Sequence, residues 1–273
     1  MTRLRSIRSR SNPLLVRLRA LARSAERRSM EGVYLAEGVR WAREAISDPE
    51  MIAAAVVSPR LGGSDQGCSL RRRIEKLACP CYEIPDRLLD AVAESRSPQG
   101  VILVMRCPPD RLQDWLRGAT EPCGLWVVSA GIQDPGNLGG LVRTAWAFGA
   151  AGFLCHGGVD LFHPRAVRAS AGALLHLPVG RATNEKDLQA FLGTVEARAA
   201  VARGGKDPRR LDWRGRCALI MGSEAHGLPA AVESACAVQV SVPMRARCHS
   251  LNVGAAAAAL LAMIGPEKNP TFG

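Results

Sequence analysis

The architecture of this chain follows from two stretches near its end: CALIMGSEAHGLP, from Cys217 to Pro229, and VQVSVPMRARCHSLNVGAAAAALLAMI, from Val238 to Ile264. In each, a short apolar run predicts a buried strand, and a polar turn and the start of a helix follow. Pro243 ends the second strand. Ser250 is the expected N-cap of an Ala-rich helix over Leu251–Ile264. The two strand ends should meet at one edge of a parallel sheet, where ligands usually bind.

Length and composition indicate a folded chain of one large or two ordinary domains. The chain has 273 residues, of which 47% are hydrophobic, enough to bury a sizeable core and to exclude wholesale disorder. Its longest apolar helix is too short to cross a bilayer. The Arg-rich N-terminus lacks the apolar centre of a secretory signal. We therefore expect a cytoplasmic protein with no membrane partner.

Cysteine and histidine spacing argues against a metal site. The nine cysteines are scattered, only Cys79 and Cys81 lie close together, and no C-x-x-C pair occurs. The five histidines do not cluster at metal-ligand spacing. We expect neither structural zinc nor a disulfide framework, but free thiols in a reducing cytosol.

The charge balance suggests a polyanionic partner. The formal net charge is +11; residues 1–120 carry 21 Lys/Arg against 14 Asp/Glu, and the remainder carries 15 against 11. An excess of this size is typical of nucleic-acid-binding proteins. High-GC codon usage also enriches arginine, so charge alone leaves nucleic-acid binding open.

Residues 1–106 alternate strand and helix signals and predict a small α/β domain. Asn12 and Pro13 form a cap and first-turn pair for a basic amphipathic helix. That helix is either simply solvated or in contact with phosphates, and we favour phosphate contact, given the charge of the whole chain. Residues 107–122 read as a linker, 123–267 as a second α/β domain and 268–273 as a tail. The arginines predicted to contact RNA are Arg17, Arg23, Arg27, Arg71 and Arg168.

The second domain opens with an apolar strand, Gly124–Ser129, and a helix that begins at NLGGLVRTAWAFG, Asn137–Gly149. Asn137 is the expected N-cap, and Arg143 lies less than two turns further on. Taken alone, these residues fit a plain cap and a surface arginine. The motifs of other nucleotide or hydrolase sites, G-x-G-x-x-G, G-x-x-x-x-G-K-[ST] and G-x-S-x-G, are absent.

Four ordered stretches nevertheless match one pattern. Together they resemble the SpoU/TrmH family of RNA ribose 2′-O-methyltransferases, in the SPOUT superfamily, over about residues 121–265. More loosely, SNPLL at Ser11–Leu15 and YLAEG at Tyr34–Gly38 are similar to a ribosomal-protein-like (L30e-like) RNA-binding domain. The four stretches are DPGNLGGLVRTA at Asp134–Ala145, RASAGAL at Arg168–Leu174, IMGSEAHGL at Ile220–Leu228 and VPMRARCHSLNV at Val242–Val253.

This resemblance implies a fold and a cofactor. The fold would be α/β: a C-terminal SPOUT parallel sheet with a deep trefoil knot, plus a small N-terminal L30e-like α/β domain. The knot would hold S-adenosylmethionine through backbone groups around Gly222, Val242, Met244 and Leu251. Such proteins are typically homodimers that pack through their knotted domains.

The resemblance also implies a reaction, the transfer of a methyl group to a ribose 2′-oxygen of RNA. Arg143 matches the catalytic arginine of the family. We expect it to act electrostatically and by orienting a phosphate, since an arginine that loses its proton is physically awkward. Asn137, Glu224, Ser250 and Asn252 match the other polar positions; Asn137 and Glu224 would orient Arg143 or the ribose, and Ser250 and Asn252 would hold the knot loop.

Several functions remain open at this point. The first is an active methyltransferase of ribosomal RNA (23S), favoured because the polar positions are all intact. Transfer RNA is the alternative substrate. A cofactor-less RNA-binding or ribosome-assembly factor on the same fold is the alternative class. Neither the modified nucleotide nor a role in antibiotic resistance can be derived from the residues.

Overall fold

The computed structural model of the chain describes residues 4–118, 123–223, 227–245 and 247–265. They pack into two compact units. The first comprises residues up to Pro108 together with Phe162–Leu175, and the second comprises Pro109–Leu161 and the chain from His176 onward. The domain ranges given above remain a prediction, because a packing unit is not in itself an independently folding domain.

The first unit contains a mixed five-stranded sheet with the order β1-β4-β3-β5-β2. The pairs β1/β4 and β4/β3 are parallel, whereas β3/β5 and β5/β2 are antiparallel. The strands are β1 (Arg5–Ser6), β2 (Val33–Glu37), β3 (Ile52–Val57), β4 (Cys81–Glu83) and β5 (Val101–Arg106). The helices are α1 (Pro13–Arg23), α2 (Ala25–Glu31), α3 (Val39–Ala45), α4 (Asp65–Ile74) and α5 (Asp86–Asp90).

The N-terminal helix begins where the sequence predicted. The Asn12 side chain accepts a hydrogen bond from the N–H of Leu14 at 2.9 Å, and Pro13 is the first helical residue. Leu15, Leu18 and Leu21 form the buried stripe of α1. A hydrophobic stripe at this spacing is what holds a surface helix against a sheet.

One segment from the middle of the chain belongs to the first unit. It contains α8 (Pro164–Ser170), which follows Phe162. The ring of Phe162 stacks on that of Tyr34, with centroids 4.9 Å apart, and the indole N–H of Trp41 donates to the carbonyl of Val167 at 2.9 Å. Buried aromatic contacts with a satisfied indole N–H fix the position of this segment against β2 and α3.

The second unit contains a six-stranded parallel sheet with the order β11-β9-β10-β6-β7-β8. Its strands are β6 (Gly124–Ala130), β7 (Gly152–His156), β8 (Val179–Ala182), β9 (Glu196–Ala200), β10 (Arg216–Gly222) and β11 (Val238–Val240). Three of them, β6, β7 and β10, are near-continuous apolar runs, as expected for strands buried on both faces. The helices are α6 (Leu112–Leu116), α7 (Pro135–Ala147), α9 (Glu185–Leu192), α10 (Ala230–Ser234) and α11 (Val253–Ile264).

The strand order separates the two strands that open the sequence argument. β10 and β11 do not pair directly, because β9 lies between them and pairs with both in parallel. Their ends lie at the same edge of the parallel sheet, as expected, but strand order is set by long-range pairing that the local pattern does not encode. The carboxyl ends of β9 and β10 lie at the same edge, since the strands are parallel. No helix among the described residues is long and apolar enough to span a membrane.

Candidate active site

A pocket of about 220 Å³ lies at the carboxyl ends of β9 and β10. We call it the strand-end pocket. Its walls come from the end of β9 and the two residues after it, the end of β10, the loop before α11 and the first two turns of α11. The lining includes Ser250 and all four residues that were predicted to hold the cofactor. Those four residues are Gly222, Val242, Met244 and Leu251.

The lining combines apolar side chains with free backbone donors. The backbone N–H groups of Val242, Met244 and Leu251 donate to no acceptor in the described part of the chain. The Leu251 side chain is 39% exposed, a large value for a leucine beside a pocket. Apolar walls with a few convergent polar groups are typical of small-molecule sites, and they suit a flat heterocycle with polar edges.

Gly222 lies in the wall of this pocket, and the structure shows why this position has no room for a side chain. A Cβ built on Gly222 would lie 2.4 Å from the carbonyl carbon and oxygen of Gly227 and 2.7 Å from the nitrogen of Leu228. Ser223 and Gly227 exchange two backbone hydrogen bonds of 2.9 Å, which closes the turn. The missing side chain therefore lets the end of β10 approach the chain's own turn.

The first helix of the site begins earlier than expected. Asp134, not Asn137, is the N-cap of α7: its side chain accepts from the N–H of Asn137 at 2.8 Å, and Pro135 is the first helical residue. Proline is preorganised for the first position of a helix, so the pair Asp134-Pro135 outcompetes the later asparagine. Asn137 therefore lies within the first turn, and its side chain is available for another contact.

The last helix begins later than expected, and this gives Asn137 its contact. Asn252, not Ser250, is the N-cap of α11; its Oδ1 accepts from the N–H of Gly254 at 2.9 Å and of Ala255 at 3.4 Å. The Asn252 Nδ2 donates to the Oδ1 of Asn137 at 2.9 Å. One side chain thus caps α11 and joins the starts of α11 and α7, whereas Ser250 lies before the helix, in the pocket wall.

Arg143 lies on the exposed face of α7, opposite the buried Leu141, Val142 and Ala145. It forms no hydrogen bond or ion pair with any other residue that the structure describes. A guanidinium without a protein partner retains all five of its N–H donors for a ligand. Glu224, the remaining predicted catalytic residue, lies outside the described residues.

The predicted RNA-binding arginines fall into two groups. Arg17 and Arg27 both pair with Glu31 at 2.6 Å, and Arg71 pairs with Glu75 and Glu83 at 3.2 and 3.0 Å. Part of their charge is therefore offset locally. Arg23 and Arg168 are exposed, and neither pairs with a residue in the described ranges. The structure describes no group of three or more His, Cys, Asp or Glu residues that could hold a metal ion.

The sequence argument missed one wall of the pocket. Ala200, Val201 and Ala202 line it at the end of β9. These residues were not predicted to belong to the site, because alanine and valine carry no chemical signal. Only the pairing of β9 beside β10 could have indicated it.

Comparisons with known proteins place this geometry in a family. Residues 124–262 match the sequence profile of the SpoU rRNA Methylase family. The chain is 28% identical over 241 residues to the 23S rRNA (guanosine(2553)-2′-O)-methyltransferase RlmP of Bacillus subtilis (strain 168), covering 86% of this chain and 89% of that one. It is 29% identical over 255 residues to the 23S rRNA (uridine(2479)-2′-O)-methyltransferase of Streptomyces viridochromogenes, covering 89% and 85%.

Solved structures agree. The SpoU methyltransferase AviRb from Streptomyces viridochromogenes, in complex with the cofactor AdoMet, is 26% identical with a TM-score of 0.78, covering 93% of this chain and 97% of that one. An AdoMet-bound rRNA methyltransferase from Sinorhizobium meliloti is 25% identical with a TM-score of 0.79, covering 96% and 97%. The profile match spans just over half of the 273 residues, and the chain therefore belongs to the SpoU rRNA Methylase family.

Proposed function

We propose that this protein is an S-adenosylmethionine-dependent RNA ribose 2′-O-methyltransferase that acts on ribosomal RNA. The observation that carries the proposal is the strand-end pocket, whose wall brings together Gly222, Val242, Met244 and Leu251. The Asn252–Asn137 hydrogen bond connects the loop of that pocket to α7, the helix that carries Arg143. Relatives that match most of the chain are named as 23S rRNA 2′-O-methyltransferases, which supports the substrate class.

The pocket fits the cofactor by its chemistry. The amides of Val242, Met244 and Leu251 have no acceptor among the described residues and would donate to the polar edge of the adenine or to the ribose. The side chains of Val242 and Leu251 would cover the apolar faces of the ring. When bound, S-adenosylmethionine supplies a methyl group activated by a sulfonium.

Arg143 would act on the nucleotide. Its guanidinium can donate in parallel to a phosphate and to the 2′-oxygen of the adjacent ribose, which stabilises negative charge as it develops on that oxygen. It stays protonated throughout, because an arginine in a protein does not act as a base, and the proton of the 2′-hydroxyl group is released to water as the methyl group transfers. Little covalent work remains for the protein, and positioning accounts for most of the catalysis.

Four polar residues would complete the site. Asn137 and Asn252 hold the starts of α7 and α11 in register through their 2.9 Å hydrogen bond. We propose that this contact fixes the position of Arg143 along the edge of the sheet. Glu224 and Asn137 would orient Arg143 or the ribose, and Ser250 would hold the loop over the pocket.

Calorimetry with S-adenosylmethionine, followed by transfer of its labelled methyl group to unmodified ribosomal RNA, tests the proposal. We expect saturable binding with one cofactor per chain and label on a ribose 2′-oxygen. Absence of cofactor binding would instead leave the RNA-binding or assembly factor on the same fold. Cofactor binding with label on transfer RNA only would replace the substrate.

The modified position can be found in cells. Mapping 2′-O-methylation in ribosomal and transfer RNA, with and without the gene, should show one ribosomal site lost in the deletion strain. Restoring the gene should restore that methyl group, whereas the Arg143→Ala gene should not.

We also propose that the protein is a cytoplasmic homodimer that packs through its second unit, and that the C-terminal part of this unit is tied in a trefoil knot. The resemblance to the family supports all three statements. The side chain of Trp146 on α7, 44% exposed and stacked on His176 with ring centroids 5.1 Å apart, is an apolar surface that a second copy would cover. Sedimentation equilibrium tests the dimer; a monomer at micromolar concentration would contradict it.

A further inference from the structure

The first unit has a pocket of its own, of about 360 Å³. Three segments form it: the junction of β2 and α3, the loop before β5, and α8. We call it the arginine pocket, because Arg40 and Arg168 both line it. Its volume falls within the roughly 300–1,000 Å³ of small-molecule sites, so it has room for more than a single ion.

The guanidinium groups of this pocket have no partner among the described residues. Arg40 and Arg168 are exposed, and the side chain of neither forms an ion pair or hydrogen bond with any residue that the structure describes. Arg96, in the adjoining depression that shares Ser95 and Ser97, is exposed as well. Two guanidinium groups around one hollow repel one another in the free protein, and an anion placed there relieves this repulsion.

The carboxylate among the lining residues, Glu37, forms no ion pair with Arg40 or Arg168. Glu37 Oε2 accepts hydrogen bonds from the backbone N–H groups of Glu94 and Ser95, at 2.8 and 3.2 Å. Two N–H donors to one oxygen hold the Glu37 side chain against the loop. These two hydrogen bonds tie β2 to the loop before β5 and so help to fix the shape of the pocket.

Gln99 adds a donor whose direction is fixed. Its Oε1 accepts from the backbone N–H of Val39 at 2.9 Å. Because the oxygen is used in this way, the amide presents its Nε2, a donor, as the free end. Together with the hydroxyl groups of Ser95 and Ser97, the pocket offers cationic and neutral donors. Its one carboxylate, Glu37, already accepts from the backbone through Oε2.

We propose that the arginine pocket binds a phosphate of the RNA substrate, with its ribose. Arg40 and Arg168 would hold the phosphate, and Gln99 and the serine hydroxyl groups would donate to the remaining phosphate or ribose oxygens. Contacts of this kind position a substrate without reading its bases. The inference rests on the proposed function, because it takes RNA as the partner, and it assigns the first unit a definite part of the recognition.

Binding of unmodified 23S ribosomal RNA to the full-length protein, measured over a range of salt concentrations, tests this assignment. The Arg40→Ala/Arg168→Ala variant should reduce the slope of log K against log salt by about 1 for each arginine. At 0.1 M salt this corresponds to about tenfold weaker binding for each arginine. Its affinity for S-adenosylmethionine should equal that of the parent.

The matched control is Arg209→Ala/Arg214→Ala. It removes the same two charges from the exposed surface of the second unit, where the two arginines pair with Asp207 and Asp212 at 2.7 and 3.0 Å. We expect its RNA affinity to fall by much less. Equal losses in the two double variants would show that only net charge matters, and would overturn the proposal.

Gln99→Glu distinguishes a loss of RNA binding at the pocket from a loss of folding. Glutamate keeps an oxygen for the N–H of Val39 but replaces the free donor with a second anionic oxygen. RNA binding should fall at least as much as with one arginine removed, while the melting temperature stays that of the parent. Gln113→Glu, the same change at an exposed position of α6, is its control.

These outcomes are separate from those that test the methyltransferase. A parent protein that binds no cofactor but loses RNA affinity in Arg40→Ala/Arg168→Ala would refute the enzyme and keep the pocket. A parent that methylates RNA and is unaffected by Arg40→Ala/Arg168→Ala and by Gln99→Glu would keep the enzyme and refute the pocket. A parent that binds no RNA at all would refute both.

Discussion

The guanidinium of Arg143 is the residue on which the proposed chemistry depends. It is exposed on α7 and has no partner among the described residues. Arg143→Ala should therefore leave folding and cofactor affinity unchanged while methyl transfer falls at least about 100-fold, as expected when a donor to a developing oxyanion is lost. Arg143→Lys keeps the charge without the planar fork, and should recover only part of the rate. Cofactor affinity by calorimetry and single-turnover methyl transfer measure the two effects.

A different result would reassign this residue. If Arg143→Ala lost cofactor binding and methyl transfer together, Arg143 would be needed for the shape of the site and not for the chemistry. The Arg143→Lys variant would then recover both properties or neither.

Gly222 is a second residue whose substitution has a defined consequence. A Cβ there would lie 2.4 Å from backbone atoms of Gly227, which cannot move without opening the turn. Gly222→Ala should lower the free energy of unfolding by about 1–3 kcal/mol, as for other overpacked sites, and weaken cofactor binding because the turn borders the pocket.

Gly140→Ala is the matched control for that variant. A Cβ on Gly140, in the middle of α7, would meet nothing within 4 Å. Since alanine favours a helix over glycine by up to about 1 kcal/mol, this variant should be as stable as the parent or more so. Urea unfolding of the two variants compares them directly, and a stable Gly222→Ala would mean that the turn can adjust.

At the scale of the element, the starts of α7 and α11 are joined by the hydrogen bond between Asn252 and Asn137. Asn252 caps α11 and also donates to Asn137, whereas Asn137 makes no cap. Asn252→Ala should therefore lose both contacts and destabilise the protein by about 1 kcal/mol more than Asn137→Ala, the usual cost of losing an N-cap. Urea denaturation of both variants measures the difference. Equal destabilisation would mean that the cap contributes little to the stability of α11.

The helices α1 and α2 are joined by the ion pair of Arg17 with Glu31, and Glu31 also pairs with Arg27 of its own helix. Burial raises the pKa of Glu31, but hydrogen bonds and charges from Arg17 and Arg27 outweigh this, so the pKa lies below the ordinary 4.5. A lowered folded-state pKa stabilises the protein above the unfolded value and loses that effect as pH falls through the folded value.

Glu31→Gln should consequently cost stability near neutral pH but not in acid. Both arginines are partly exposed, at 38% and 48%, so the loss should be no more than about 1 kcal/mol. Urea unfolding at pH 7 and below pH 4 tests this. A difference between variant and parent that persists undiminished at the lower pH would show that the carboxylate acts by packing and not by charge.

The elements show how far the sequence alone leads. The strands and the capped start of α1 follow from local apolar runs and from Asn12-Pro13, because these signals act within a few residues. The caps of α7 and α11 were each placed on the wrong one of two suitable side chains. In α7, Pro135 favours Asp134 as the N-cap. In α11, Asn252 is favoured by its contact with Asn137, which is over a hundred residues away in sequence. Local patterns cannot supply a choice of that second kind.

For the same reason, the sequence could predict neither the position of β9 in the sheet nor the placement of α8. The pocket wall at Ala200–Ala202 exists only because β9 pairs with β10. The arginine pocket exists only because α8 packs in the first unit, through contacts such as the stacking of Phe162 on Tyr34. Both depend on tertiary packing, and the spacing of apolar residues along the sequence carries no information about which elements pack together.

On the scale of the whole molecule, the proposed knot would lie in the path of the second unit after β9. β10 follows β9 in the chain but lies between β9 and β6. The chain then moves outward to β11, at the edge of the sheet, and α11 packs on α7 and β10. Strand order alone does not make a chain thread itself, because true knots are rare, so the proposed knot needs a direct test.

Mechanical extension gives the knot a measurable consequence. A chain pulled from both ends reaches about 3.3–3.6 Å per residue when fully extended. If the second unit is knotted, pulling tightens the knot before the chain is straight, and the final length falls short of that expected for 273 residues. Pulling between the N-terminus and Gly204 leaves the later segment free to slip out, so this pair of attachment points should reach the full length expected for its residues. Full extension from both ends of the chain would show that the path through β10 and α11 is unthreaded, and the cofactor pocket would then have to be held closed by packing alone.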